Sequence, residues 1–185
     1  MTKRGWIILG EGIPIAALIA ILAWASISTG GNPGGLAVNS DLVELDVDAE
    51  TARDFEVGLI GGGSLNLADL RGKVVMVDFW ASWCAPCRAE APAIARVYEE
   101  FRGQPVEFVG LNTWDNLGDA EVFIQQEGQV YPNGFDASGA VAIDYGVRGI
   151  PEKYFIDRDG VLIKKLSGPV TETSLRNTIN ELLAR

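Results

Sequence analysis

The sequence predicts an α/β domain: a mixed central sheet flanked by helices, entered through a β-hairpin and preceded by one N-terminal membrane-directed helix. Three observations predict it. Val74-Val75-Met76-Val77-Asp78-Phe79-Trp80 is a nearly continuous apolar, β-branched run, as in a strand buried on both faces of a parallel sheet. Helical patterns follow it and recur between later strands, which selects helices packed on a sheet. Asp159-Gly160 joins two further strand-like runs, a strong hairpin signal.

The N-terminus carries Lys3 and Arg4 ahead of an apolar stretch over 6–27, interrupted by Glu11 and Pro14. A stretch of about 20 apolar residues spans a bilayer core, and flanking positives keep the N-terminus cytoplasmic. The stretch from Ile13 onward also suits a signal-peptide core, with Ala23-Trp24-Ala25 as an A-x-A cleavage site. Anchor and signal peptide both export the rest of the chain, and the absence of a cysteine near residue 25 excludes a lipid anchor. Glu11, near the cytoplasmic end, reads as an acid reached by water or protonated rather than as a functional group.

Residues 28–52 read as a linker. Gly30, Gly31, Pro33, Gly34 and Gly35 lead into Asp41, Glu44, Asp46, Asp48 and Glu50, and glycine, proline and like charges give a flexible, self-repelling chain. The folded domain is expected over 53–185. Asp54-Phe55-Glu56-Val57 and Ser64-Leu65-Asn66-Leu67 alternate around Gly61-Gly62-Gly63, predicting the hairpin. After the 74–80 strand come a helix over 84–101, a strand over 106–111, a helix over 119–127 stopped by Gly128, and a helical turn over 140–145. Strands over 153–157 and 161–166 and an amphipathic helix over 171–184, with Leu175, Ile179 and Leu182 on one face, close the domain.

Composition narrows the chemistry. The chain has 185 residues, 2 Cys, no His and a formal net charge of -10. No basic footprint for nucleic acid is present overall. Without histidine there is no Ser-His-Asp or Cys-His catalysis, no His-ligated metal and no His axial ligand to haem. Two cysteines cannot complete an all-cysteine zinc site. No metal and no cofactor are expected.

Both cysteines fall in Cys84-Ala85-Pro86-Cys87, after a buried strand and at the start of a helix. The helix N-terminus offers free N–H groups and positive dipole charge, which stabilise a thiolate. Cys84 is therefore the expected nucleophile. Cys87, a turn further in and more shielded, is expected to resolve the mixed disulfide. Pro86 fits a first turn, where its missing N–H is harmless. Arg88 in place of a histidine after Cys87 argues against covalent haem attachment, and a four-residue loop restrains too little chain to be a structural staple.

Asp78 lies in the apolar strand six residues before Cys84. Burial behind the disulfide would raise its pKa and let it exchange protons with the cysteines; a strand-end carboxylate satisfied by solvent or backbone is the bland reading. Glu90, three residues after Cys87, either tunes the cysteines or complements the helix dipole. Trp80 and Trp114 read as core packing, Trp83 as part of the client-facing surface, and Arg88 as a solvated helix residue. Pro151 precedes a strand, and its isomer is not legible, trans being the base rate.

The segment from Val77 to Cys87 resembles the active-site strand and helix start of the thioredoxin superfamily. Asp69-Leu70-Arg71-Gly72-Lys73, Cys87-Arg88-Ala89-Glu90, the segment 131–135, Tyr145-Gly146-Val147-Arg148-Gly149-Ile150-Pro151-Glu152 and Phe155-Ile156-Asp157 are similar to its membrane-tethered TlpA/ResA/DsbE-type branch. The resemblance covers roughly residues 53–185. It implies a thioredoxin-like fold, a redox-active Cys84–Cys87 pair, a buried aspartate at Asp78, an active-site acid at Glu90, and a cis-proline at Pro151 whose neighbour pairs with client backbone. Trp83, Ala85, Pro86, Ile150 and Pro151 are the implied client contacts. The implied function is an extracytoplasmic, single-pass membrane-anchored reductant, fed by a membrane thiol–disulfide donor and acting on apocytochrome c or its chaperone. Asp78 departs from many cytochrome-branch members, which lack an acid there, so a general disulfide reductase or isomerase stays open, as does a non-catalytic binding module. A thiol peroxidase fits less well, since its cysteine sits in a different local motif.

Overall fold

The computed structural model describes residues 16–24, 37–45 and 47–185. The chain divides into two units, Met1–Ala37 and Val38–Arg185. In the first, residues 16–24 are helical and exposed. No helix among the described residues is long and apolar enough to cross a membrane. Most of the apolar stretch over 6–27, including Glu11, and the glycine-rich part of the expected linker lie outside the described residues.

In the second unit, strands β2 (Val43–Leu45), β6 (Val74–Trp80), β7 (Val106–Thr113), β8 (Asn133–Asp136), β10 (Glu152–Ile156) and β11 (Val161–Ser167) form one sheet in the order β2-β11-β10-β6-β7-β8, with β3 (Glu50–Thr51) also on β11. Strands β6, β7 and β8 run parallel, whereas β10 is antiparallel to both β6 and β11. Two-residue strands β1 (Ala37–Val38) and β9 (Gly149–Ile150) lie outside this sheet. Strands β4 (Glu56–Gly58) and β5 (Ser64–Asn66) make the expected hairpin, and Gly61, Gly62 and Gly63 all take positive φ in its turn, a conformation glycine adopts without steric cost.

Strand β6 explains the layering. Successive side chains of a strand point to opposite faces. Val75, Val77 and Phe79 enter one core with Leu111, Tyr154 and Ala142. Val74 and Met76 enter the other with Phe108, Phe155, Ile94, Val97, Leu175 and Ile179. Helix α1 (Ala85–Glu100) and helix α4 (Glu172–Leu183) cover the face of Val74 and Met76; α2 (Leu117–Glu127) lies beside α1, its Phe123 stacked on Trp80 and under Arg88, while α3 (Ala140–Asp144) packs with the other set. Thr171 and Ser174 form a capping box at the start of α4, each bonding the other's backbone.

One expectation is corrected, and one strand was not expected. Residues 38–52 are not all linker: Leu45, Glu44 and Val43 align with Lys165, Leu166 and Ser167 of β11, and Glu50 with Leu162. Strand β11 offers open backbone groups that need partners, and Glu44 finds Lys164 at 3.2 Å instead of repelling its acidic neighbours. Strand β8 lies in a stretch where sequence periodicity showed no strand. It packs where side chains are missing: a Cβ on Gly134 would sit 2.4 Å from Val57 Cγ2, and one on Gly110 would sit 2.0 Å from Asn133 Oδ1.

Candidate active site

Strand β6 ends at Trp80, and residues 81–84 turn into α1. Asp115 holds this turn: it accepts from Ser82 N at 2.6 Å, Ser82 Oγ at 3.0 Å, Asn112 Nδ2 at 2.9 Å and Asn116 N at 2.9 Å. Trp83 Nε1 donates to Trp114 O at 3.0 Å. Trp114 takes a φ of 55°, unusual for a residue other than glycine. Arg88 braces the same turn through Ser82 O at 3.2 Å and Glu127 at 2.6 Å, so it is ion-paired rather than simply solvated. Trp80 stacks on Phe123 and donates to Asn133 Oδ1 at 3.1 Å, a core role.

Cys84 is the N-cap of α1 and forms a disulfide with Cys87. Cys84 Sγ accepts from Cys87 N at 3.2 Å; the sulfur thus sits on one of the unpaired N–H groups of the helix start. Pro86 occupies the first turn. Cys84 is 0% exposed and Cys87 2%, so in this closed disulfide Cys84 is no more open than its partner, contrary to the expected difference. Both pack in the core cluster that includes Ala81 and Ile150. Trp83 and Ala85 are exposed, Pro86 is half-buried, and Ile150 and Pro151 are buried.

The Ile150–Pro151 bond is cis. Glu152, just beyond it, pairs with Lys165 at 2.8 Å, accepts from Tyr154 OH at 3.0 Å and reaches back to Arg148 N at 3.4 Å. The backbone edge at this loop is occupied. Asn39 N donates to Ile150 O at 2.8 Å, and Asn39 Nδ2 donates to Pro151 O at 3.2 Å.

On the face of the sheet covered by α1 lies a buried charge cluster. Asp78 on β6 is the cross-strand partner of Lys153 on β10. Lys153 Nζ lies 3.3 Å from Asp78 Oδ1 but is not aligned for a hydrogen bond to it. The same ammonium donates to Glu90 Oε1, and Glu90 Oε2 accepts from Val170 N at 2.7 Å. Lys153 is 0% exposed. Burial raises the pKa of Asp78, with Lys153 opposing. Burial pushes Glu90 up to about 7, Lys153 opposing and Asp78 adding to the rise. Glu90 therefore points into the core and does not serve as an exposed first-turn acid. The Tyr131 hydroxyl is also buried, without a hydrogen-bond partner among the described residues, and burial together with Asp78 and Glu90 raises its pKa.

Lys153, Asp115 and Asn39 are site residues that sequence reasoning missed. Lys153 had a signal: a lone base in one buried strand and a lone acid in another imply a pair, because an unpaired buried charge is costly. Asp115 and Asn39 act through backbone groups and had none. No cluster of metal-ligating side chains occurs among the described residues.

Residues 49–165 match the model of the AhpC/TSA family. The thiol:disulfide interchange protein HelX of Rhodobacter capsulatus is 38% identical over 119 residues, 63% of this chain and just under two thirds (65%) of HelX. The thiol-disulfide oxidoreductase ResA of Bacillus subtilis is 30% identical over 133 residues, 72% of this chain and 74% of ResA. A thioredoxin-family thiol:disulfide interchange protein from Chlorobium tepidum superposes with a TM-score of 0.68 at 25% identity, covering 75% of this chain and 99% of that one. The family match spans more than half of the chain and the relatives are thiol:disulfide exchange proteins by name, so the chain, with its Cys84–Cys87 disulfide at a helix start, belongs to the AhpC/TSA family as a thiol:disulfide oxidoreductase of the TlpA/ResA/DsbE type.

Proposed function

We propose that this oxidoreductase works as a membrane-anchored reductant on the extracytoplasmic side, and that its clients are the paired cysteines of apocytochrome c or of the chaperone holding them. The observation that carries the exchange chemistry is the Cys84–Cys87 disulfide capping α1. The placement rests on the positive-then-apolar N-terminus, and the client rests on likeness to HelX and ResA.

The electrons balance as follows. In the dithiol form, the Cys84 thiolate attacks one client sulfur, forming a mixed disulfide and releasing one client thiolate. Cys87 then loses its proton and attacks Cys84 Sγ, closing the Cys84–Cys87 bond and releasing the second client sulfur. The client gains two electrons and two protons. A membrane dithiol donor returns the protein to its starting form. Client backbone pairing at Ile150 requires Asn39 to leave that edge.

Cys87→Ser tests the order of events: it should accumulate clients disulfide-bonded to Cys84, whereas Cys84→Ser should trap none. Identifying the trapped proteins tests the client. Recovery of apocytochrome c or its chaperone supports the reading, while a broad set of unrelated exported proteins favours the general reductase suggested by Asp78. Alkali extraction of membranes and labelling with an impermeant thiol reagent test the anchor and its sidedness.

A further inference from the structure

Ser82 is held at each of its polar atoms. Asp115 accepts from its N–H at 2.6 Å and from its hydroxyl at 3.0 Å, and Arg88 Nη2 donates to its carbonyl at 3.2 Å. The peptide planes on both sides of Ser82 are therefore fixed. Cys84 N closes the same turn on Ala81 O at 3.2 Å, and Arg88 N donates to Cys84 O at 3.1 Å. Arg88 thus touches the turn twice, through its backbone at Cys84 and through its side chain at Ser82. Its guanidinium is itself placed by α2: Nη1 pairs with Glu127 at 2.6 Å, and Cζ lies 4.9 Å from the centre of the Phe123 ring. Asp115 precedes α2 and Glu127 ends it, so one helix grips the Cys84 turn from both of its ends.

An ion pair this open to water, with the Arg88 side chain 45% exposed, stabilises a fold little. Its geometry matters for another reason. In the closed form the Cys84–Cys87 bond ties Cys84 Sγ to the start of α1, 3.2 Å from Cys87 N. Reduction removes that tie, and the turn over 81–84 is left to hold Cys84 in place. Stabilisation of a thiolate by a helix start falls off within the first turn, so a small displacement costs thiolate. We propose that Arg88 is a positioning residue for thiol exchange, its guanidinium fork spanning Glu127 and the Ser82 carbonyl so that the Cys84 thiolate stays on the helix start once the disulfide opens. The inference rests on Cys84 being the attacking thiol. A lysine ammonium carries the same charge without the planar fork, so charge and position can be separated.

The test uses the reduced full-length Cys87→Ser protein in detergent, in which Cys84 is the only thiol, and reads its alkylation by iodoacetamide against pH. The thiolate displaces iodide, so the midpoint of the rate profile is the Cys84 pKa. Arg88→Lys should raise this midpoint by at least about half a pH unit, slowing alkylation below the midpoint about threefold, and Arg88→Met should do at least as much. Glu127→Ala should raise it too, because Arg88 loses the group that holds it; charge alone predicts the opposite, since removing an acid favours a nearby thiolate. The three variants leave Asp78, Glu90, Asp115 and Lys153 in place, and a loss of overall stability would move a denaturation midpoint but not the titration of a folded thiol. A wild-type midpoint in Arg88→Lys, or a fall in Glu127→Ala, would reduce Arg88 to a charge near the site and overturn the proposal. Unmoved midpoints in all three variants would make the pair a solvated one and overturn it equally. A midpoint near the ordinary value of about 8.5 in the parent protein would instead refute Cys84 as the attacking thiol, and the proposal with it.

Discussion

Asn39 donates its backbone N–H to the carbonyl of Ile150, the residue before the cis-proline, at 2.8 Å. Its side chain adds a second bond to Pro151 O. The chain thus lays its own backbone along the edge proposed above for client pairing. Replacing Asn39 with Pro removes the N–H and the side-chain amide together. At about 0.5–1.5 kcal/mol for each bond, exchange with a peptide disulfide should rise by about fivefold or more. Exchange with a small aromatic disulfide, which needs no strand pairing, should not change. Equal rates for the peptide in variant and wild type would mean that this edge is not where clients dock.

Glu90 makes stability depend on pH in a defined direction. Its carboxyl titrates at about 7 in the folded protein against an ordinary 4.5, chiefly because it is buried. Between those values the folded state holds a proton that the unfolded state has lost, so stability falls as pH rises through this window and levels off above it. Denaturant unfolding of the oxidised protein at pH 5 and pH 8 should show a larger loss in wild type than in Glu90→Gln. A variant that loses as much as wild type would place the titration elsewhere.

Asp115 accepts four hydrogen bonds at the turn that carries Cys84. Asp115→Ala leaves those donors to find water. We expect a destabilisation of about 2–4 kcal/mol, since bonds to a charged acceptor are worth about 1.5–3 kcal/mol each and some are replaced by solvent. A shift in the denaturant midpoint at constant slope would measure it. Slower attack by the reduced protein should accompany it, because the helix cap is no longer held against β7.

Gly110 lies under Asn133, with a would-be Cβ 2.0 Å from Asn133 Oδ1 and 2.9 Å from Trp80 Nε1. Gly110→Ala should break the Trp80–Asn133 bond and cost about 1–3 kcal/mol by overpacking. Trp80 fluorescence and thermal unfolding together would report it.

Much of this was legible beforehand, for physical reasons. Val74–Trp80 is buried along its whole length, and such a strand announces itself as an uninterrupted apolar run. The cysteine pair read correctly as a helix cap because strand, turn and helix signals adjoin it. The closing helix showed its buried Leu175, Ile179 and Leu182 as a stripe. Strand β8 did not show, because Pro132, Asn133 and Gly134 look like a turn and the strand exists only through its neighbours on β7. The acids around Glu44 looked self-repelling until Lys164 appeared opposite them. Lys153 and Asp78 are 75 positions apart, and only the register of β10 against β6 brings them together. The cis bond at Pro151 is implied by the resemblance but not by its neighbouring residues, and the occupation of Ile150 by Asn39 is a property of tertiary structure alone.

The most direct test of the central claim, that this protein donates electrons to disulfides, is the reduction potential of the Cys84–Cys87 couple, measured on the full-length protein in detergent by equilibration with glutathione or dithiothreitol. A value near or below about −230 mV, towards the thioredoxin end of the range, is what the reductant account predicts. A value near about −120 mV, the strong-oxidant end, would contradict it and make the protein a donor of disulfides instead.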